Sequence, residues 1–161
     1  MRILVDGEPR AAVDALDRGL FETLAVTNRR LRFLDWHLER LADGMRRLGF
    51  PPPDLEALRA ELAAAVDKGT TADTLLVTRG SGPRGYRPPR DARPTRIVLA
   101  YDGPPSTPPA AGLRVGWCRT RLARNPALAG LKHTSRLEQV LARAEWDDGR
   151  MDEGLMQDGD G

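Results

Sequence analysis

Apolar residues recur at helical spacing in two stretches of the chain. The first lies in 34–49 and consists of Leu34, Leu38, Leu41, Met45 and Leu48. This spacing predicts a helix with Asp35 as its N-cap and Gly49 as its stop. The second stretch, "DLEALRAELAAAVDKG" at 54–69, predicts another helix that starts after a proline run and ends near Gly69, with Lys68 in its last turn.

Short β-rich runs occupy most of the remaining first hundred residues. "RILVD" leads into an Asp-Gly turn, and "FETLAV" and "LRFL" flank "TNRR", which predicts a hairpin over 21–34. "DTLLVTRG" and "RIVLAYD" predict two further strands, separated by the loop "SGPRGYRPPRDARPT". Strands and helices in this order predict an α+β fold.

The segment "GPPSTPPAAG", residues 103–112, has too much Pro and Gly for regular structure and predicts a linker. The chain then divides into an N-terminal α+β domain at 1–102, the linker at 103–112, and the beginning of a C-terminal domain at 113–161. In the last part, "LRVGWCR" predicts a strand, and Ser135 and Glu138 have the spacing of a capping box. "EGLMQDGDG" predicts a strand running into a turn, so we expect either docking on the first domain or a truncated sequence.

Composition narrows the functional classes. The 161 residues carry 25 basic and 23 acidic side chains, a balance that gives no reason to expect a nucleic-acid partner. No apolar run approaches the roughly 20 residues that span a bilayer, and the N-terminus lacks the apolar core of a signal peptide. We therefore expect a cytoplasmic protein without a membrane partner. The single cysteine, Cys118, fits a reducing compartment and is best interpreted as a small buried residue.

Lysine is rare in this chain and therefore informative. Lys68 and Lys132 are its only two lysines among 25 basic residues. An amine can lose its proton and attack a carbonyl, whereas a guanidinium stays protonated. Lys132 is therefore a candidate nucleophile, although a solvated surface lysine is the alternative. His133 beside it is interpreted as a polar residue in the first turn of the following helix.

Four segments together resemble the class IV pyridoxal-phosphate enzymes, which include branched-chain and D-amino acid aminotransferases and aminodeoxychorismate lyase. They are "LFETLAV", "HLERL", "RGSGPRGY" and "NPALAGLKHTSRLEQVLARAE". The last two resemble the lyase most closely. The resemblance implies a two-domain D-amino acid aminotransferase-like fold, a homodimer, and pyridoxal 5'-phosphate as cofactor. The N-terminal domain would be complete or nearly so, and only the start of the C-terminal domain would be present.

The same resemblance assigns roles to four residues. Lys132 matches the lysine that forms a Schiff base with the cofactor, and Arg40 matches the arginine that holds its phosphate. Arg84 and Tyr86 lie in a loop that would cover the substrate, 4-amino-4-deoxychorismate, with Arg84 on a carboxylate and Tyr86 at the ring. Glu22 matches a position near the active site. The residues alone leave Arg40 open as a solvated helix residue paired with Glu39 or Asp43.

Three functions remain open at this stage. The first is a lyase that releases pyruvate and 4-aminobenzoate in folate biosynthesis, the second an aminotransferase on branched-chain or D-amino acids, and the third a non-catalytic remnant of the fold. RNA binding by the Arg-Gly loop is a weaker alternative. Two departures from the family pattern bear on activity. "DRGLFETL" lacks about six residues before Phe21, and the chain ends at Gly161 before the expected partner of the pyridine nitrogen. We therefore expect little lyase activity from these 161 residues alone.

Overall fold

The structure, a computed structural model, describes residues 2–10, 19–80, 88, 91–103, 109–146 and 149–159. The chain forms two compact units. One consists of Met1–Pro105 together with Leu131–Thr134, and the other of Ser106–Gly130 together with Ser135–Gly161. The division into domains at 1–102, 103–112 and 113–161 stays a prediction.

The first unit is built on an antiparallel sheet of six strands. Their order across the sheet is β2-β1-β6-β5-β3-β4, and each neighbouring pair is antiparallel. The strands are β1 (Arg2–Val5), β2 (Glu8–Arg10), β3 (Gly19–Thr27), β4 (Arg30–Leu31), β5 (Thr70–Thr78) and β6 (Thr95–Asp102). The predicted hairpin over 21–34 is present as β3 and β4, although its second strand has only two residues.

Strand β3 shows why this sheet has one strongly apolar face. Side chains alternate across a strand, and Leu20, Leu24 and Val26 are buried on one face at 2%, 0% and 6% exposure. The helices α1 (Leu34–Arg47) and α2 (Leu55–Ala65) contribute buried leucines to the same core and contact the sheet. Two acidic residues, Glu22 and Asp73, occupy buried positions in this alternation, at 1% and 0% exposure.

Helix α1 starts two residues earlier than predicted. Phe33 is its N-cap residue, with φ of 55° and no side-chain cap. The prediction of Asp35 as N-cap is therefore wrong; Asp35 lies in the first turn, where its negative charge favours the helix dipole. Gly49 follows the helix with φ of +67°, a conformation that costs glycine little, so the predicted stop is confirmed.

Helix α2 is shorter than its apolar pattern suggests. The Asp54 side chain accepts a hydrogen bond from the Ala57 N–H at 3.0 Å and caps the start. The helix ends at Ala65, and Val66 is extended. Asp67 and Thr70 then exchange backbone and side-chain hydrogen bonds in a turn. The prediction that Lys68 lies in the last helical turn is therefore wrong.

The second unit contains β7 (Val115–Trp117), α3 (Leu137–Ala144) and β8 (Glu153–Leu155). The two strands pair in parallel, and Gly116 lies opposite Gly154. A side chain at either glycine would meet the Trp146 indole at 3.1–3.4 Å, so the ring packs across this glycine pair. Cys118 is 5% exposed, as predicted for a small buried residue.

The start of α3 differs from its sequence prediction. Arg136 is the N-cap residue and makes no side-chain cap. Glu138 accepts a hydrogen bond from the Ala123 N–H at 3.0 Å, so the capping box predicted from Ser135 and Glu138 does not form. None of the helices in the described part of the chain is long and apolar enough to cross a membrane.

Candidate active site

The segment that carries Lys132 is an added strand of the first unit. Leu20 and His133 form an antiparallel bridge. On either side of it, the Phe21 N–H donates to the Lys132 carbonyl and the Thr134 N–H donates to the Gly19 carbonyl, both at 2.9 Å. His133 therefore lies in this strand pairing, four residues before α3 begins, and the prediction of a first-turn helix residue is wrong.

The Lys132 side chain is half-buried against Phe21. Its Nζ lies 4.4 Å from the centroid of the Phe21 ring, within the range of a cation–π contact. This contact and the two backbone hydrogen bonds on either side of His133 place the Lys132 amine beside Phe21 of β3. A solvated surface lysine, the alternative from sequence, has no such constraint.

Arg40 lies on α1 and reaches the other face of β3. The Glu22 carboxylate accepts hydrogen bonds from Arg40 Nε at 2.7 Å and from Arg40 Nη2 at 2.5 Å. His37 Nδ1, one turn earlier on the helix, lies 2.7 Å from the same carboxylate. Asp43, one of the two partners that the sequence left open, pairs instead with Arg46 and Arg47. No described contact joins Arg40 to the other, so Glu22 is its acidic partner among the described residues.

The electrostatics of this group centre on one buried charge. Glu22 has a side-chain exposure of 1%, whereas that of Arg40 is 48%. Hydrogen bonding to Glu22 raises the pKa of Arg40 above its ordinary value. A buried carboxylate is costly without partners. The three nitrogen contacts from α1 offset that cost.

The two predicted cofactor residues thus meet β3 at consecutive positions. Lys132 contacts Phe21, and Arg40 contacts Glu22, whose side chain is on the opposite face because strand residues alternate. One edge of β3 pairs with β5. On its other edge, between the bridge to His133 and the pairing with β4, no described strand pairs with Glu22–Leu24.

The structure leaves two of the predicted site residues without a test. Arg84 and Tyr86 lie outside the described residues, so their contacts with substrate stay predictions. Arg79, at the start of the same loop, makes contacts that stabilise the fold. Its guanidinium donates to the carbonyls of Leu48 and Gly49 and lies 4.3 Å from the centroid of the Phe50 ring, which ties β5 to the end of α1.

Sequence reasoning placed Glu22 near the active site by resemblance without giving it a role, and it did not include His37 among the site residues. The signal for Glu22 was present: in "GLFETLAV" it falls in register with Leu20, Leu24 and Val26, so it had to be buried with them. An acid on the apolar face of a strand requires a cation beside it. His37 and Arg40, three residues apart on α1, have the helical spacing to supply two such partners.

A second acidic residue on the same face has a different environment. Neither oxygen of Asp73 has a hydrogen-bond partner among the described residues. Burial raises the pKa of Asp73 to about 6; the charge of Arg2 opposes this shift and that of Asp102 adds to it.

No described group of three or more His, Cys, Asp or Glu side chains could hold a metal ion.

Comparison with known proteins decides the family. The model of the amino-transferase class IV family matches residues 19–161. The chain belongs to this family. The predicted resemblance and the class IV fold are therefore confirmed, and the cofactor of the family is pyridoxal phosphate.

Two lyases are among the relatives of this class IV chain. An aminodeoxychorismate lyase from Vibrio harveyi is 33% identical over 152 residues, which cover 89% of this chain and 56% of the relative. The crystal structure of 4-amino-4-deoxychorismate lyase from Pseudomonas aeruginosa is 47% identical with a TM-score of 0.81, over 98% of this chain and 62% of that one. This chain thus spans less than two thirds of the length of either relative.

A more distant structure supports the fold alone. The PLP-bound form of a hypothetical aminotransferase from Mycobacterium tuberculosis is 20% identical with a TM-score of 0.73. The match covers 100% of this chain and 63% of that one. The class IV backbone is therefore retained at low sequence identity.

Proposed function

We propose that this chain carries the lysine and the phosphate-binding arginine of an aminodeoxychorismate lyase. The reaction is the conversion of 4-amino-4-deoxychorismate to 4-aminobenzoate and pyruvate, a step of folate biosynthesis. The observation that carries the proposal is the placement of Lys132 and Arg40 at neighbouring residues of β3. The lyases from Vibrio harveyi and Pseudomonas aeruginosa support this choice of reaction within the family.

The side chains present fit the chemistry of pyridoxal phosphate. Lys132 supplies the primary amine that binds an aldehyde, and Arg40 supplies a planar, permanently charged donor suited to phosphate. When bound, the cofactor supplies an electron-withdrawing ring that stabilises negative charge beside the reacting carbon. A covalently held phosphate ester requires an amine nucleophile and an anion-binding group, and the side chains of Lys132 and Arg40 have the chemistry of these two groups.

The chain's own residues then have distinct tasks. The ring of Phe21 shields one side of the Lys132 amine from water, and the backbone pairing to β3 fixes its origin. Lys132 Nζ would hold and move the protons for elimination and aromatisation. Arg84 would bind a substrate carboxylate and Tyr86 would contact the ring. The enzyme would act as a homodimer in the cytoplasm, without a nucleic-acid or membrane partner.

The two lysines provide a matched test of the cofactor site. Wild-type protein, Lys132→Arg and Lys68→Arg are incubated with pyridoxal phosphate, reduced with borohydride and mapped by peptide mass spectrometry. We expect a pyridoxyl adduct on Lys132 in wild type and in Lys68→Arg, and none in Lys132→Arg. An adduct on Lys68, or one spread over both lysines, would contradict the assignment. Absence of cofactor binding in wild type would favour the non-catalytic remnant.

A second experiment separates the lyase from an aminotransferase. The latter is favoured by one observation, the 26% identity to the fold IV transaminase from Curtobacterium pusillum, with a TM-score of 0.67. Pyruvate release from 4-amino-4-deoxychorismate without an added 2-oxo acid supports the lyase. Turnover of amino acids that depends on a 2-oxo acid supports the aminotransferase. Arg84→Ala should raise KM and leave the cofactor spectrum unchanged.

A further inference from the structure

We propose that Glu22 is a positioning residue that holds the Arg40 guanidinium in the orientation in which it binds the cofactor phosphate. This inference rests on the proposed function, since it specifies how the phosphate-binding arginine is oriented. Glu22 itself touches neither cofactor nor substrate in the proposal. Its effect is exerted through Arg40.

The hydrogen bonds of Arg40 leave one edge of its guanidinium for a ligand. Glu22 is bound by Nε and Nη2, which form the edge nearest the aliphatic stem. Nη1 lies on the other side, and no described residue provides it with an acceptor. The Arg40 side chain is 48% exposed although its carboxylate partner is buried. The arrangement thus anchors one edge in the core and presents the other outward.

Anchoring matters because arginine is long and flexible. A free arginine side chain gives up considerable rotamer entropy when it is fixed on a ligand. In this structure Glu22 fixes it in advance, through two hydrogen bonds to a carboxylate that cannot move away from β3. His37 adds to the rigidity, since its Nδ1 lies 2.7 Å from the Glu22 oxygen that Arg40 Nη2 also contacts.

A second reading predicts the opposite effect. A carboxylate beside Arg40 also cancels its positive charge and repels a phosphate. If that repulsion dominated, removal of the charge would strengthen phosphate binding. If positioning dominates, removal weakens it. Because Arg40 loses one of two strong charge-assisted bonds and regains side-chain freedom, we expect weakening by about tenfold.

The test compares pyridoxal phosphate with pyridoxal, which differ only in the phosphate. Dissociation constants for both are measured by absorbance titration, in phosphate-free buffer, for wild type, Glu22→Gln and Glu39→Gln. Glu39 is exposed and adjacent to Arg40 in sequence, so its variant makes the same change in net charge without touching the guanidinium pair. We expect the preference for the phosphorylated form to fall about tenfold in Glu22→Gln and to stay within twofold in Glu39→Gln.

Several results would overturn the inference. A preference that rises in Glu22→Gln would assign Glu22 to charge cancellation, and an unchanged preference would make it purely structural. If Lys132 of the wild type is labelled but pyridoxal phosphate binds no more tightly than pyridoxal, the role of Arg40 is overturned and the role of Lys132 is retained. No labelling of Lys132 would instead overturn the proposed function. These outcomes are distinct.

If circular dichroism shows that Glu22→Gln does not fold, a second variant, Arg40→Lys, tests the same inference. Arg40→Lys keeps the positive charge but has no fork to bind Glu22 and phosphate together. We expect it to lose the phosphate preference about tenfold as well, and an unchanged preference would overturn the inference. If both single variants fold, combining them should add little to either, because each breaks the same interaction.

Discussion

Asp73 should make the stability of this protein depend on pH near neutrality. The carboxyl group has 0% exposure and no hydrogen-bond partner among the described residues, and burial raises its pKa from 3.8 to about 6. In the folded protein the group therefore keeps its proton between about pH 4 and pH 6, where the unfolded chain has lost it. Stability is highest at the acid end of this range and falls as the pH rises through the folded pKa.

The size of the effect follows from the shift. Two pKa units at about 1.4 kcal/mol each give a penalty of about 3 kcal/mol at pH 8, where the carboxylate is ionised in both states. At pH 5 the same relation gives about 1.5 kcal/mol. Asp73→Asn has nearly the same shape and no charge. The free energy of unfolding of Asp73→Asn, relative to that of wild type, should therefore be about 1.5 kcal/mol larger at pH 8 than at pH 5.

Urea unfolding at the two pH values, followed by circular dichroism, measures this difference directly. Asp43→Asn is a control, because Asp43 is on the exposed side of α1 and its side chain is 48% exposed. Its effect should be no more than about 1 kcal/mol. If the stability difference between Asp73→Asn and wild type is the same at pH 5 and pH 8, the carboxyl group does not titrate in this range and the reasoning is refuted.

Three further changes have expected outcomes. Gly44→Ala should destabilise the first unit by about 1–3 kcal/mol in urea unfolding, because the added Cβ would lie 2.9 Å from a methyl group of buried Leu20. The added Cβ of the control Gly69→Ala meets nothing closer than 3.8 Å, so equal effects of the two variants would contradict this. Asp54→Ala should cost about 1 kcal/mol through loss of the α2 cap, and exposed Glu56→Ala should cost less. Glu145, whose pKa is lowered to about 2 mainly by the Thr120 hydroxyl, should stabilise the second unit above about pH 4.5 and lose that effect as the pH falls towards 2. Protection factors of the β7 amides, which correct for the intrinsic pH dependence of exchange, should fall over that range, and unchanged factors would contradict this.

The helices were largely predictable because their periodicity has one physical cause. Leu38, Leu41 and Met45 are buried at 1–3% exposure, so the apolar positions that indicated α1 are the ones that pack on the sheet. Helix ends were less predictable. Asp35 has the right residue type for an N-cap, yet backbone geometry at Phe33 starts the helix earlier. Ser135 and Glu138 have the spacing of a capping box, but the tertiary hydrogen bond to Ala123 takes the carboxylate.

Sequence motifs nominated residues for the candidate site, but they did not predict its geometry. Lys132 was distinguished by the rarity of lysine and by family motifs, and these contain no information about Phe21 beneath it. The partner of Arg40 could not be chosen among Glu22, Glu39 and Asp43 from local spacing, since the helix offers two acids and β3 the third. Burial decided it. The pairing that forms is the one that relieves a carboxylate inside the core.

The strand pairing at Lys132 also has a consequence for the order of assembly. Gly19 and Thr134 are 115 positions apart, yet the rest of the first unit's sheet lies within the first 102 residues. A growing or refolding chain can therefore close the core of β5 and β6 long before the lysine segment finds its place, because distant contacts close slowly. The Phe21 amide, which donates to Lys132, should gain protection from exchange later than that of Leu75 in β5. The Lys132 amine would then reach its position against Phe21 only on a sheet that is already formed.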